Sequence, residues 1–242
     1  MFRRILITAL FAGFLGGLGI SVVHEFTTTP IILHAEEFES KGSSGGHRHG
    51  KFEHSANPLL VLVHSDKNAP AGDSAWAPAD GLERTLYATL ANIIAGVGFA
   101  LILVACIALS GRDVDGRTGV LWGIGGFAAI NLAPALGLPP EVPGAMVAEL
   151  GARQGWWLLC AAATAAGLWM LIFRHGAFWV AGGIVIMALP HIIGAPQPAR
   201  LGGPVPPELA GQFVAASLVT SAIFWCALGW LSGTFWKRQR AD

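Results

Sequence analysis

The sequence predicts an all-α, polytopic membrane protein. Two observations carry that prediction. The chain is 53% hydrophobic and only 12% charged, with a mean hydropathy of +0.57. A soluble domain carries about twice that charged fraction. Six apolar runs also reach the length of a bilayer-crossing helix, about 20 residues with a range near 17–25. The formal net charge is zero, so a nucleic-acid partner is not expected.

The first run is Ile5–Val23, preceded by Arg3 and Arg4. A signal peptide has the same order of charge and apolar run, but its apolar stretch is about 7–15 residues and a small-residue cleavage site follows. This run is longer and no clear site follows it, so an uncleaved helix is expected; cleavage would leave five spans. Leu86–Leu109 and Gly119–Leu138 are the next two runs. Trp156–Phe173 and Ala177–Ile193 are shorter, and Phe213–Phe235 is the last. Trp156, Trp157 and Trp236 lie near run ends, where the amphipathic indole favours the interface. Gly13-x-x-x-Gly17 and Gly119-x-x-x-Gly123 have the spacing that lets helices approach closely. Cys106, Cys160 and Cys226 are far apart inside apolar runs. They form neither a disulfide framework nor a zinc motif and read as small packing residues.

Lys and Arg in short loops set orientation. With the N-terminus inside, the cytoplasmic segments carry Arg3, Arg4, Arg112, Arg117, Arg174, Lys237, Arg238 and Arg240. The short outer loops carry only Arg153 and Arg200. Both termini are therefore expected in the cytoplasm. The chain divides into a first helix (1–23), an extracytoplasmic and partly disordered segment (24–85), and a five-helix domain with a short cytoplasmic tail (86–242).

The outer segment contains GGHRHGKFEH, Gly45–His54. It almost matches a P-loop, but that motif needs a buried strand before it and a hydroxyl for Mg²⁺ after its lysine. Neither is there, because Phe52 follows Lys51. The histidines offer different chemistry. His47, His49 and His54, with His34 and His64 in the same segment, supply imidazole, and Glu36, Glu37, Glu39 and Glu53 supply carboxylate. Such a set suits borderline divalent metals such as Co²⁺, Ni²⁺ or Zn²⁺. A solvated linker that happens to be rich in histidine reads equally well from spacing alone.

Polar residues in the spans are more telling, because burial in lipid is costly without a partner. His24, Asn92, Asn131, His191 and Gln212 all fall toward the outer side under the predicted orientation. They define an expected outward vestibule, although each alone is also an ordinary packing or interfacial residue. Asp80 and Glu83 precede the second run with capping-box spacing, and the same carboxylates would draw a cation to the vestibule mouth. Pro190 in PHIIGAP removes a backbone donor beside His191. The inner half offers little beyond Thr164, Ser221 and Cys226. No catalytic motif stands in a convincing context, so an enzyme is not expected.

The chain resembles the CbtA family of predicted cobalt transporter subunits. The resemblance is carried by MFRRILITALFAGFLGG, TPIILHAEEFE, WAPADGLERTLYATLANIIAGVGFAL, GVLWGIGGFAAINLAPALGLPPEVPG, ARQGWW, LPHIIGAPQP and VPPELAGQFVAASL, in that order. It implies a multi-pass protein of the bacterial inner membrane that takes up Co²⁺ for cobalamin synthesis, with no permanently bound cofactor. It also implies a small single-span, His-rich partner of the CbtB type. It assigns no ligand role to any residue. The residues' own chemistry suggests His24 and His191 as ligands near the outer surface, fed by the outer histidines. A membrane-embedded scaffold that hands metal to a partner without transporting it is the alternative.

Overall fold

The computed structural model describes residues 1–43, 78–79, 81–199 and 202–239. Those residues form helices and connections, with no strand among them. Helix α1 (Phe2–Phe26) contains the first apolar run, and α2 (Thr28–Ser43) follows after a single residue. Helices α3 (Leu82–Ser110) and α4 (Gly116–Ala135) come next. Then follow α5 (Leu150–Phe173), α6 (Ala177–Ile193) and α7 (Pro207–Arg238). Five of these, α1, α3, α4, α5 and α7, are long and apolar enough to cross a membrane. The sixth expected span, α6, is an apolar helix of 17 residues.

Their outer faces suit lipid. Phe11, Leu90, Ile94, Ile102, Leu121, Ile172, Ile184 and Val219 are all exposed on the long helices and α6. A water-soluble fold would bury such a set; a hydrocarbon surround solvates it.

Burial therefore gives these helices little reason to associate, and backbone packing must do so. Three contacts show it. Gly13 and Gly17 of α1 lie on Gly96 and its neighbours in α3. A Cβ added at Gly17 would stand 2.5 Å from both the Asn92 carbonyl oxygen and Ile93 Cα. Gly119 and Gly123 of α4 lie on Gly229 and Gly233 of α7, so both helices present the Gly-x-x-x-Gly spacing. Gly167 of α5 lies on Gly183 and Met187 of α6. Around these contacts Ala9, Ala12, Val104, Ile107, Phe224 and Leu228 form the buried core of α1, α3 and α7.

One end of the bundle gathers the basic residues. Arg4 donates to the Trp236 carbonyl and lies 3.6 Å over its ring. Lys237 is 3.7 Å from Asp115. Arg112 stacks on Phe173, and Arg174 on Trp169 and Trp179. These side chains come from both ends of the sequence and from two connections, which matches the expected cytoplasmic side. There Asp115 caps α4: its carboxylate accepts from Thr118 N–H at 3.0 Å, and the Thr118 hydroxyl accepts from Asp115 N–H at 2.9 Å. The Thr118 bonds and nearby Lys237 hold its carboxyl below the usual carboxylate range.

Helix α2 was not anticipated within the outer segment, where 24–85 reads as loop. It packs Ile31, Ile32 and Ala35 against Val142, Leu209 and Phe213. Arg84 at the start of α3 clamps Glu36 through two bonds of 2.6 and 3.0 Å. A short apolar face and one ion pair thus fix a segment whose composition reads as polar. The start of α3 also differs from the expected capping box. The helix begins at Leu82 with Gly81 (φ +90°) as its N-cap, and Glu83 reaches back to accept from Ala79 N–H at 3.3 Å. Asp80 lies outside the described residues.

The glycine contacts generate a prediction. Gly119→Val places its side chain on the Gly229 carbonyl and should cost 1–3 kcal/mol or more, as overpacking does. Gly125→Ala, with nothing within 4 Å of an added Cβ, should be tolerated. Thermal unfolding followed by size exclusion in detergent checks the pair.

Candidate functional site

At the end opposite the basic cluster, α1, α2, α4, α5 and α7 surround a cavity of about 370 Å³. Its polar lining comprises His24, Thr28, Asn131, Glu141, Arg153, Gln154, Ser217, Thr220 and Ser221. The remaining wall is apolar and aromatic, with Ile130, Pro134, Leu138, Trp157, Leu158 and Phe213 prominent.

His24 enters from the last turn of α1. Its Nδ1 lies 3.4 Å from the Asn92 amide nitrogen, which also donates to Ser21 Oγ at 3.1 Å. Ser21 in turn donates to the Gly17 carbonyl at 2.8 Å. The amide nitrogen is a donor, so Nδ1 accepts and the neutral imidazole carries its proton on Nε2; ligation through Nε2 requires that proton to leave. Asn92 Oδ1, by contrast, is buried with no protein hydrogen-bond partner. Gly17 permits the arrangement, because its missing side chain lets the Asn92 backbone reach α1.

Asn131 sits in a π-helical turn, Ala128–Leu132. Pro134 has no N–H to continue the ordinary ladder, and Ala133 N–H bonds instead to the Ala128 carbonyl, five residues back. Such turns recur at functional sites because they push one side chain out of helical register. Trp225 Nε1–H donates to Asn131 Oδ1 at 2.7 Å, and Asn131 Nδ2 donates to Ser221 Oγ at 3.4 Å. The amide is therefore fixed from α7.

The strongest charges in the cavity wall are Glu141 and Arg153, paired at 2.8 Å with about three-quarters or more of each side chain buried. Glu141 follows Pro139 and Pro140 in the α4–α5 connection, and Arg153 is in the first turn of α5. Burial pushes the Glu141 carboxyl above its ordinary value, against the opposing pull of the Arg153 guanidinium.

The expected site residues separate into groups. His24 and Asn131 line the cavity, and Asn92 supports His24 from behind. Glu36 is committed to Arg84. Glu83 closes the start of α3. His34 is exposed beside Phe38, and Glu37 and Gln212 are also exposed. His191 does not line the cavity. It lies on α6 against α5, with its Nε2 3.8 Å from Cys160 Sγ and its ring edge-on to Trp156. His47, His49, His54 and Asp80 lie outside the described residues. Among the described residues no group of three or more His, Cys, Asp or Glu converges as a metal cage. Glu141 and Arg153 were missed as site residues. The flanking Pro-Pro-Glu and the single arginine of a short outer connection were the available signals.

A bundle of long apolar helices, basic at one end and hollowed at the other into a cavity whose apolar wall carries several polar groups, is the architecture of a multi-pass membrane protein. The family model for CbtA, described as "probable cobalt transporter subunit", matches residues 2–237, nearly the whole chain. The chain belongs to that family. Comparison with curated proteins and comparison with solved structures each gave no match.

The raised carboxyl makes a pH prediction. Above its folded pKa Glu141 is anionic and favours a cation in the cavity; below it the group is neutral and the attraction is lost. Because burial shifts that pKa upward, metal uptake should begin to fall on the alkaline side of the usual carboxylate range as the medium is acidified. Glu141→Gln should lower uptake and remove that acid limb. Uptake rates across a pH series check both.

Proposed function

We propose that this chain is the membrane-spanning subunit of a Co²⁺ uptake system in a bacterial inner membrane, supplying cobalamin synthesis. Family membership supports the metal, and the cavity supports an entry site. The observation that carries the reading is that an oriented imidazole, His24, and a largely buried carboxylate, Glu141, both line one cavity. Imidazole and carboxylate together suit borderline divalent ions.

The outer histidines His47, His49 and His54 gather the ion, and Asp80 and Glu83 favour its approach. It then enters the cavity and meets His24, with Asn131 and the hydroxyls of Ser217 and Ser221 replacing part of its hydration. His191 serves as a second imidazole on the outer side. An inside-negative potential contributes about 2.3 kcal/mol per charge per 100 mV, and a divalent ion gains about twice that. The described helices carry no charged side chain between the outer cavity and the basic end. A small single-span, His-rich partner of the CbtB type is the expected second subunit, and it would complete the inner half of the path.

Radiolabelled Co²⁺ uptake tests the proposal in cells lacking other cobalt importers. The chain with its partner should support uptake. His24→Ala and His191→Ala should each reduce it at least tenfold, whereas deleting His47–His54 should weaken it only at low metal. The reverse ranking, with the loop deletion the worse lesion, would favour the scaffold that hands metal on.

A further inference from the structure

We infer that Cys160 and His191 form a two-ligand metal site of thiolate and imidazole, on the α5–α6 hairpin and apart from the cavity. The inference deepens the reading that this chain handles a divalent metal, and it adds a sulfur ligand to it.

The geometry is that of two ligands sharing one ion. Metal–sulfur bonds of about 2.3 Å and metal–nitrogen bonds of about 2.0–2.1 Å at a tetrahedral centre place sulfur about 3.5 Å from nitrogen. Cys160 Sγ and His191 Nε2 are 3.8 Å apart, so closure needs only a small side-chain movement. The pair is held in place. The Trp156 and His191 rings meet nearly perpendicular, and Trp156 Nε1–H donates to the Pro190 carbonyl at 3.1 Å. Cys160 is fully buried, and His191 is half-buried. Thr164, also fully buried one turn further along α5, adds a hydroxyl beside the thiol.

Position adds a second argument. Helix α6 runs from Ala177 at the basic end and stops at Gly194, where φ is +87°. His191 lies in the last turn of α6, where the terminal carbonyls carry a partial negative charge that favours a cation. Pro190 removes one more internal donor there. Among the described residues no third His, Cys, Asp or Glu joins the pair, so water, a carbonyl or the partner subunit fills the remaining positions. That is the coordination of a transfer site, which holds an ion without trapping it.

The test is absorption spectroscopy of the purified full chain titrated with Co²⁺ in detergent. Thiolate ligation gives an intense near-ultraviolet sulfur-to-cobalt charge-transfer band, which imidazole and carboxylate sites elsewhere do not produce. The wild type should show the band, Cys160→Ser should abolish it, and His191→Ala should shift its midpoint at least tenfold to higher Co²⁺. The Cys106→Ser/Cys226→Ser double variant keeps Cys160 as the sole thiol and should retain the band, which decides the matter even if Cys160→Ser fails to fold. No band in the wild type or in the double variant would overturn the site and leave an ordinary thiol–imidazole contact. Because the readout is binding, intact uptake without a band sinks the site alone, and a band without uptake sinks transport alone.

Discussion

Lipid tails are as apolar as leucine, so nothing expels one apolar helix onto another in a bilayer. What joins these helices is backbone meeting backbone where side chains are missing. Gly119 and Gly123 on α4 fit Gly229 and Gly233 on α7, and Gly13 and Gly17 on α1 fit Gly96 on α3. The cavity depends on both contacts. The first brings Trp225 and Ser221 of α7 to the Asn131 amide. The second brings Asn92 to His24. Loosening either crossing would leave the polar groups of the hollow without the neighbours that orient them.

The two ends of the bundle have opposite chemistry. At the basic end, cations are neutralised locally by carbonyl, carboxylate and aromatic faces, as with Arg4 on Trp236 and Lys237 beside Asp115. At the other end, one imidazole, one raised carboxyl and several hydroxyls and amides share a hollow. Arg153 occupies the Glu141 carboxylate there as an arriving cation would. A divalent ion would have to displace the guanidinium from Glu141, and the half-neutralised carboxylate keeps the grip moderate.

Much of the architecture was legible in the sequence because it is a one-dimensional property. Apolar run length gave the helices, and arginine placement gave the end to which Arg4, Arg112 and Arg174 belong. His24, Asn92 and Asn131 could be assigned to one side from their depth in each run. Their pairing could not, because the register between helices is set by glycines on partner helices. Helix α2 escaped because its apolar face is only Ile31, Ile32 and Ala35 amid glutamates, and its stability comes from Phe213 and Arg84, far away in sequence. The Glu141–Arg153 pair escaped for a similar reason: each looked like an ordinary loop charge until the connection folded back on α5. The contact between Cys160 and His191 escaped because the two lie 31 positions apart on neighbouring helices.

The most direct test of the account is Co²⁺ entry into liposomes containing the chain and its small partner, with and without an imposed inside-negative potential. The account predicts entry that needs the protein, grows with the potential, and falls when His24 is replaced by Ala. Co²⁺ that binds to the protein yet never reaches the lumen at any potential would contradict it, and would make the chain a metal-holding scaffold.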